Sequence, residues 1–181
     1  IGAGVGGRRC AEEVVEEQNR IGIGLVGVPS EWLVASVPAV EAVREVWGPE
    51  IVNVDLAGVL AASLREPDER ALGLAASFSG GAAAICEPGA DGVRKASTVF
   101  GALSDLMTRD RLDAVAVRCF DLVTRNGTSG CIALSALNDA GRVAACEGDL
   151  ASAVGMLWVK ELLGTASWMA NPSHADPSTG L

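Results

Sequence analysis

A chain of 181 residues with 49% apolar content has material for one ordinary domain with a real core, which excludes intrinsic disorder. Its formal charge of −9, with no local cluster of Lys or Arg, repels phosphate backbones and anionic lipid and excludes nucleic acid as an expected partner. No apolar run reaches the ~18 residues a membrane-spanning helix needs, and Cys10, Cys86, Cys119, Cys131 and Cys146 form neither C-x-x-C pairs nor an even set, so a reduced, cytoplasmic protein is expected.

The segment Cys10 to Asn19 sets four glutamates around two valines and reads as an exposed helix or a linker. Ile21 to Gly27 is a short apolar run bounded by Pro29, which suits a buried parallel strand. Val37 to Val46 reads as a helix stopped by Gly48-Pro49, and Ile51 to Val54 as a second strand. An Ala/Leu-rich helix to about Leu64 follows, then another from Pro67; Phe78 to Asp91 is rich in Gly, Ala and Ser and reads as a loop. Val93, Ala96, Val99, Phe100, Leu103, Leu106 and Met107 recur at helical steps and mark one face of a helix.

Asp113 to Phe120 is apolar and β-branched and reads as a third strand, Cys131 to Leu137 as a short helix, and Val143 to Cys146 as a fourth strand. Asp149 stands where an N-cap belongs, before an almost wholly apolar helix from Leu150 to Leu163 that Gly164 closes. Ser167 to Met169 reads as a last strand before Asn171-Pro172. Strands alternating with helices predict a parallel sheet with helices on both faces, a Rossmann-like or flavodoxin-like three-layer α/β/α fold.

Gly2, Gly4 and Gly7 match G-x-G-x-x-G, but the strand that should feed such a turn has no room before them, and no acidic residue follows at the required spacing. A Gly-rich connecting segment is the better reading, and no nucleotide cofactor is expected.

In open α/β sheets, ligands bind beyond the carboxyl ends of the strands. Arg118 and Asp121 follow the third strand, Glu147 and Asp149 the fourth, and Asn171 the fifth. If the tips converge, two carboxylates, a carboxamide and a guanidinium share one rim, and such oxygen donors suit Mn²⁺ or Mg²⁺ rather than zinc. The same residues also have a purely structural reading: Asp149 caps its helix, Glu147 is a solvated loop charge, and Asp121 pairs with Arg118.

The run Ala136 to Asp149, with Met156-Leu157, Leu163-Gly164 and Trp168-Met169-Ala170-Asn171-Pro172, resembles the L-fucose isomerase-like proteins. Asp113 to Leu122 and Gly27 to Ser36 are similar as well, and Cys146-Glu147-Gly148-Asp149 also resembles the arabinose isomerases. The likeness runs from about Ile21 to the end. It implies that residues 1–20 are a linker or the tail of a preceding domain, and that 21–181 are a central α/β domain cut before a C-terminal β domain.

The resemblance further implies a Mn²⁺-dependent aldose–ketose isomerase. Such an enzyme moves a proton between C1 and C2 of a pentose, hexose or deoxysugar through an enediol, and works as a homo-oligomer on a monosaccharide. Glu147 matches the family's first metal ligand and proton-transfer group, while Asn171, 24 residues on, stands where the fucose isomerases carry an aspartate. An amide can ligate a hard cation but cannot take up a proton as a carboxylate does. The alternative is therefore a non-catalytic sugar- or metal-binding relative. The family's histidine is expected beyond Leu181; His174, the only histidine in the chain, is a candidate substitute or a surface loop residue. Arg118 and Asp121 are the expected contacts to the sugar hydroxyls, whereas Trp158 and Trp168 read as core.

Overall fold

The computed structural model describes residues 11–87, 89–171 and 176–178. Helix α1 (Ala11–Gln18) leads into β1 (Gly22–Val26), then α2 (Val40–Trp47), β2 (Glu50–Val54), α3 (Ala57–Ala62), α4 (Glu69–Gly81) and α5 (Gly89–Arg109). After these come β3 (Ala114–Val117), α6 (Phe120–Asn126), α7 (Cys131–Asp139), β4 (Val143–Cys146) and α8 (Leu150–Leu163). The four strands are all parallel in the order β2-β1-β3-β4. The chain thus builds outward from β1 in two directions, and β1 and β3 flank the point where that direction reverses.

Side chains alternate across the sheet, so each strand feeds two cores. Val115 and Val117 pack with α3, α5 and α7 through Val59, Leu103, Met107 and Leu137. Ala114 and Ala116 face the other way, onto Val43 of α2 and Leu150, Ala153 and Leu157 of α8. Helices therefore cover both faces, the three-layer arrangement expected from the alternation of elements.

The long amphipathic helix is α5: Val93, Ala96, Val99, Leu103, Leu106 and Met107 are all buried. Helix α8 is held at its start by Asp149, whose carboxylate accepts from the Ser152 N–H at 2.8 Å, and stops at Gly164 in a left-handed conformation. It packs on β3 and β4 and has α1 as a further neighbour.

Three segments differ from the expectation. Helix α4 runs through Phe78 to Gly81, so the Gly/Ala-rich loop is confined to the stretch before α5. Strand β3 is only four residues long, because the chain turns at Cys119 and Phe120–Asn126 coils into α6, a helix that buries Leu122. Ser167 to Met169 pairs with no strand among the described residues; burial does alternate there, but Trp168 points to solvent and no backbone ladder forms. No helix among the described residues is long and apolar enough to cross a membrane.

Candidate functional site

Because the strands are parallel and in register, Val26, Val117 and Cys146 end at one level. The next residues, Gly27, Arg118 and Glu147, start the loops of the carboxyl rim. The ladder carries on for one further step at each tip: Gly27 N–H donates to Val54 O at 2.9 Å, Arg118 N–H to Val26 O at 3.0 Å, and Gly148 N–H to Val117 O at 3.0 Å.

At β4 the chain then makes a tight turn through two left-handed residues, Glu147 (φ 62°) and Gly148 (φ 68°). A Cβ on Gly148 would lie 2.9 Å from Val28 O and 3.0 Å from Pro29 Cα, so glycine is what lets the β4 tip press against the loop after β1. Glu147 has no such excuse. A side-chain-bearing residue in this region costs about 1–3 kcal/mol and persists where surrounding contacts over-determine it.

Those contacts are present. Glu147 is 3% exposed. Its Oε2 accepts a hydrogen bond from Trp32 Nε1 at 2.5 Å, its Oε1 accepts from Asn171 Nδ2 at 2.8 Å, and its main-chain oxygen accepts from Ser30 N–H at 2.9 Å. Both carboxyl oxygens thus meet neutral N–H donors, which offsets part of the cost of burying the group. Trp32 in turn packs edge-on against Phe120, with ring centroids 5.1 Å apart, and both rings keep a solvent-facing edge.

The β3 tip is tied to the same loop. Arg118 Nε donates to Asp121 Oδ1 at 2.7 Å, one terminal nitrogen to Pro29 O at 2.9 Å, and the other to Glu31 Oε1 at 2.7 Å. Asp121 first and Glu31 next hold the guanidinium above its ordinary range. The Glu31 carboxyl is held below its own range, by a main-chain hydrogen bond first and by Arg118 second.

The predicted residues therefore fall into three groups. Glu147 and Asn171 meet directly, and Glu147 is buried rather than the solvated charge of the structural alternative. Arg118 and Asp121 form the ion pair that alternative anticipated. Asp149 is a cap: its two oxygens accept from the main-chain N–H and the hydroxyl of Ser152 at 2.8 and 2.9 Å. His174 lies outside the described residues. Trp158 sits half-buried, edge-on to Trp47 at 5.9 Å, whereas Trp168 is 90% exposed, contrary to the expectation that it is core. Trp168 instead rims a cavity of about 520 Å³ that Phe78, Cys131, Cys146 and Met169 also line.

The sequence reading missed Trp32, together with Pro29, Ser30 and Glu31. The signal that could have found them is the strand-end rule applied to β1, whose following loop lies at the reversal of strand order.

A hard cation asks for oxygen donors, and Glu147 supplies them. Asn171 turns its N–H toward Glu147, so it becomes a donor to an ion only with the amide turned over to present Oδ1. Among the described residues, no three His, Cys, Asp or Glu side chains gather to hold an ion. The site thus offers one carboxylate and one carboxamide, which fits part of a ligand set.

Beside Glu147, the thiol of Cys146 lies 4.0 Å from the Met169 sulfur, to which it donates. The influence of Cys146, more than any other, pushes the Cys119 thiol down to about 7, and that of Cys119 pushes Cys146 up.

No family model matches the chain. It is similar to a sulfoquinovose isomerase of Alkalicoccus urumqiensis, 24% identical over 166 residues. The match covers 91% of this chain but 37% of the relative, so the chain spans little more than a third of that protein's length. The likeness is to a sugar isomerase, and it runs through all the strand tips described above.

Proposed function

We propose that the chain forms part of the active site of a ketol isomerase acting on a monosaccharide, with Glu147 as the group that moves the proton between C1 and C2. The observation that carries the reading is the buried Glu147 carboxyl at the β4 tip, fixed from two sides by Trp32 and Asn171, in a chain similar to a sugar isomerase. A carboxyl so positioned has the fixed geometry that general acid–base catalysis demands, a contribution of ~10²–10⁴-fold in rate. Arg118 and Asp121, on the neighbouring tip, present a donor and an acceptor suited to sugar hydroxyls, and the exposed edges of Trp32 and Phe120 offer an apolar surface for a ring face.

A divalent ion such as Mn²⁺, held by Glu147 and the turned-over amide of Asn171 with donors from outside the described residues, would act as a Lewis acid on the sugar carbonyl. The residues of this chain would keep the carboxyl oriented, keep water from its buried side, and grip the hydroxyls. The test is aldose-to-ketose conversion by the full-length protein with Mn²⁺ on a panel of pentoses, hexoses, deoxysugars and sulfoquinovose. Turnover that disappears in Glu147→Gln supports the reading; no turnover on any sugar counts against it.

A second reading, a non-catalytic sugar- or metal-binding relative, is favoured by one observation: Asn171 satisfies Glu147 with an N–H where a second acid would leave two carboxyls in contact. Turnover that appears only in Asn171→Asp would select this reading for the parent protein.

A further inference from the structure

The Arg118 side chain is 16% exposed, whereas Glu31, one of its three partners, is 73% exposed. Asp121 and the Pro29 carbonyl already fix the guanidinium through two of its nitrogens, at 2.7 and 2.9 Å. An ion pair to so exposed a carboxylate adds little to stability, so holding the arginine in place does not account for Glu31. What Glu31 changes is charge. Arg125 reaches the other oxygen of Asp121 at 3.9 Å, so two guanidiniums and two carboxylates stand in one network and cancel. Without the Glu31 carboxylate the network would be net positive, and the terminal nitrogen that now meets Glu31 at 2.7 Å would face solvent with no partner among the described residues.

We infer that Glu31 is a specificity-determining residue: its carboxylate occupies the Arg118 guanidinium and so closes the β3 tip to phosphorylated or sulfonated sugars, leaving it fit for neutral hydroxyls. An anionic group approaching the guanidinium meets the Glu31 oxygen where its own oxygen would sit. It must either displace that carboxylate or lie beside a like charge. A hydroxyl meets no such penalty. Of the five N–H groups of a guanidinium, three are engaged here, and each terminal nitrogen keeps one to donate to a hydroxyl oxygen. The hydroxyl proton in turn finds an acceptor in Glu31 or Asp121. The bearing on sugars rests on the isomerase reading, whereas the screening of Arg118 by Glu31 does not.

The test is the melting temperature of the full-length protein in inorganic phosphate against sodium chloride of equal ionic strength at pH 7. It compares the parent with Glu31→Gln, which keeps the shape and removes the charge, and with Glu45→Gln, which makes the same charge change at an exposed position on α2. Phosphate at ~20 mM should raise the melting temperature of Glu31→Gln by at least about 1 °C more than that of the parent, as a ligand that binds the folded state does. Glu45→Gln should respond as the parent does. Glu31→Ala, which empties the position, should behave as Glu31→Gln and carries the test if the glutamine variant fails to fold. A Glu31 variant that gains nothing over the parent, or a Glu45→Gln that gains as much, would overturn the inference. Turnover supplies the second arm: the ratio of kcat/KM for glucose over glucose 6-phosphate should fall roughly three- to tenfold in Glu31→Gln, and an unchanged ratio would overturn the claim of sugar specificity. Absence of turnover on every sugar, with the phosphate response of Glu31→Gln intact, would count against the isomerase reading while supporting the screening of Arg118.

Discussion

The amide of Asn171 donates to the carboxyl of Glu147 across 2.8 Å, joining two residues 24 positions apart in the chain. Replacing Asn171 with Asp keeps size and shape but turns a hydrogen bond into a contact between two acids, which share a proton, repel each other, or recruit a cation. Without divalent ions, Asn171→Asp should lose about 1–2 kcal/mol, a melting temperature lower by roughly 3–6 °C for a domain of this size. Added Mn²⁺ should raise its melting temperature more than that of the parent protein. Calorimetry with EDTA and with Mn²⁺ measures both; a variant as stable as the parent in EDTA would contradict the geometry.

Trp32→Phe removes only the indole N–H and a little area while keeping a ring against Phe120. Oε2 of a carboxyl that is 3% exposed would then lack its donor. The expected cost is about 1–3 kcal/mol, the penalty for a buried polar atom left unsatisfied. Urea denaturation with an unchanged m-value would register it, and a loss below about half a kcal/mol would mean that solvent replaces the indole.

Glycines at the rim and on the helices should respond with opposite signs. Gly148→Ala forces a methyl to within 2.9 Å of Val28 O at a left-handed φ, so it should destabilise by more than about 1 kcal/mol. Gly155 in α8 faces open space, and Gly155→Ala should stabilise by about 0.4–1 kcal/mol. Two thermal melts decide the matter, and equal shifts would disprove the tight approach of the β4 turn to the β1 loop.

Acid should loosen the α4–α5 side through Asp68 and Asp105. Asp68 is held below its ordinary range mainly by the Ala71 N–H it caps and next by Arg70; Asp105 is held low mainly by Arg70. Both carboxyls are more acidic folded than unfolded, so the stability they add is complete above the unfolded value near ~4 and is lost as pH falls through the folded values. Asp68→Asn keeps a capping side chain but not the charge, and it should flatten the fall of melting temperature between about pH 5 and 2. An unchanged slope would remove Asp68 from that balance.

How much of this was legible in the sequence follows from how local each signal is. The strands β1, β2 and β4 and the helix α8, with Asp149 before it and Gly164 after it, are written in contiguous residues, and they fold as read. Helix α6 escaped because Phe120, Leu122 and Val123 extend the apolar run of β3, and only the turn at Cys119 separates the two. Ser167 to Met169 has the alternation of a strand, but a strand also needs a partner, which alternation cannot supply. The meeting of Glu147 with Asn171 was within reach because both follow predicted strand positions. Trp32 was not: its partner lies 115 residues away, and a tryptophan in an apolar segment hides its single donor.

The loop that follows β1 grips both neighbouring tips, Arg118 through Pro29 and Glu31 and Glu147 through Ser30 and Trp32. A ligand that pulls the indole off Glu147 must therefore disturb the guanidinium's anchors as well, and one that engages the guanidinium must be felt at the carboxyl. By linkage the two influences are equal in free energy. The spacing of carboxyl and guanidinium across the rim is tied to one tether, so a change in the length or stiffness of that short segment retunes both grips together.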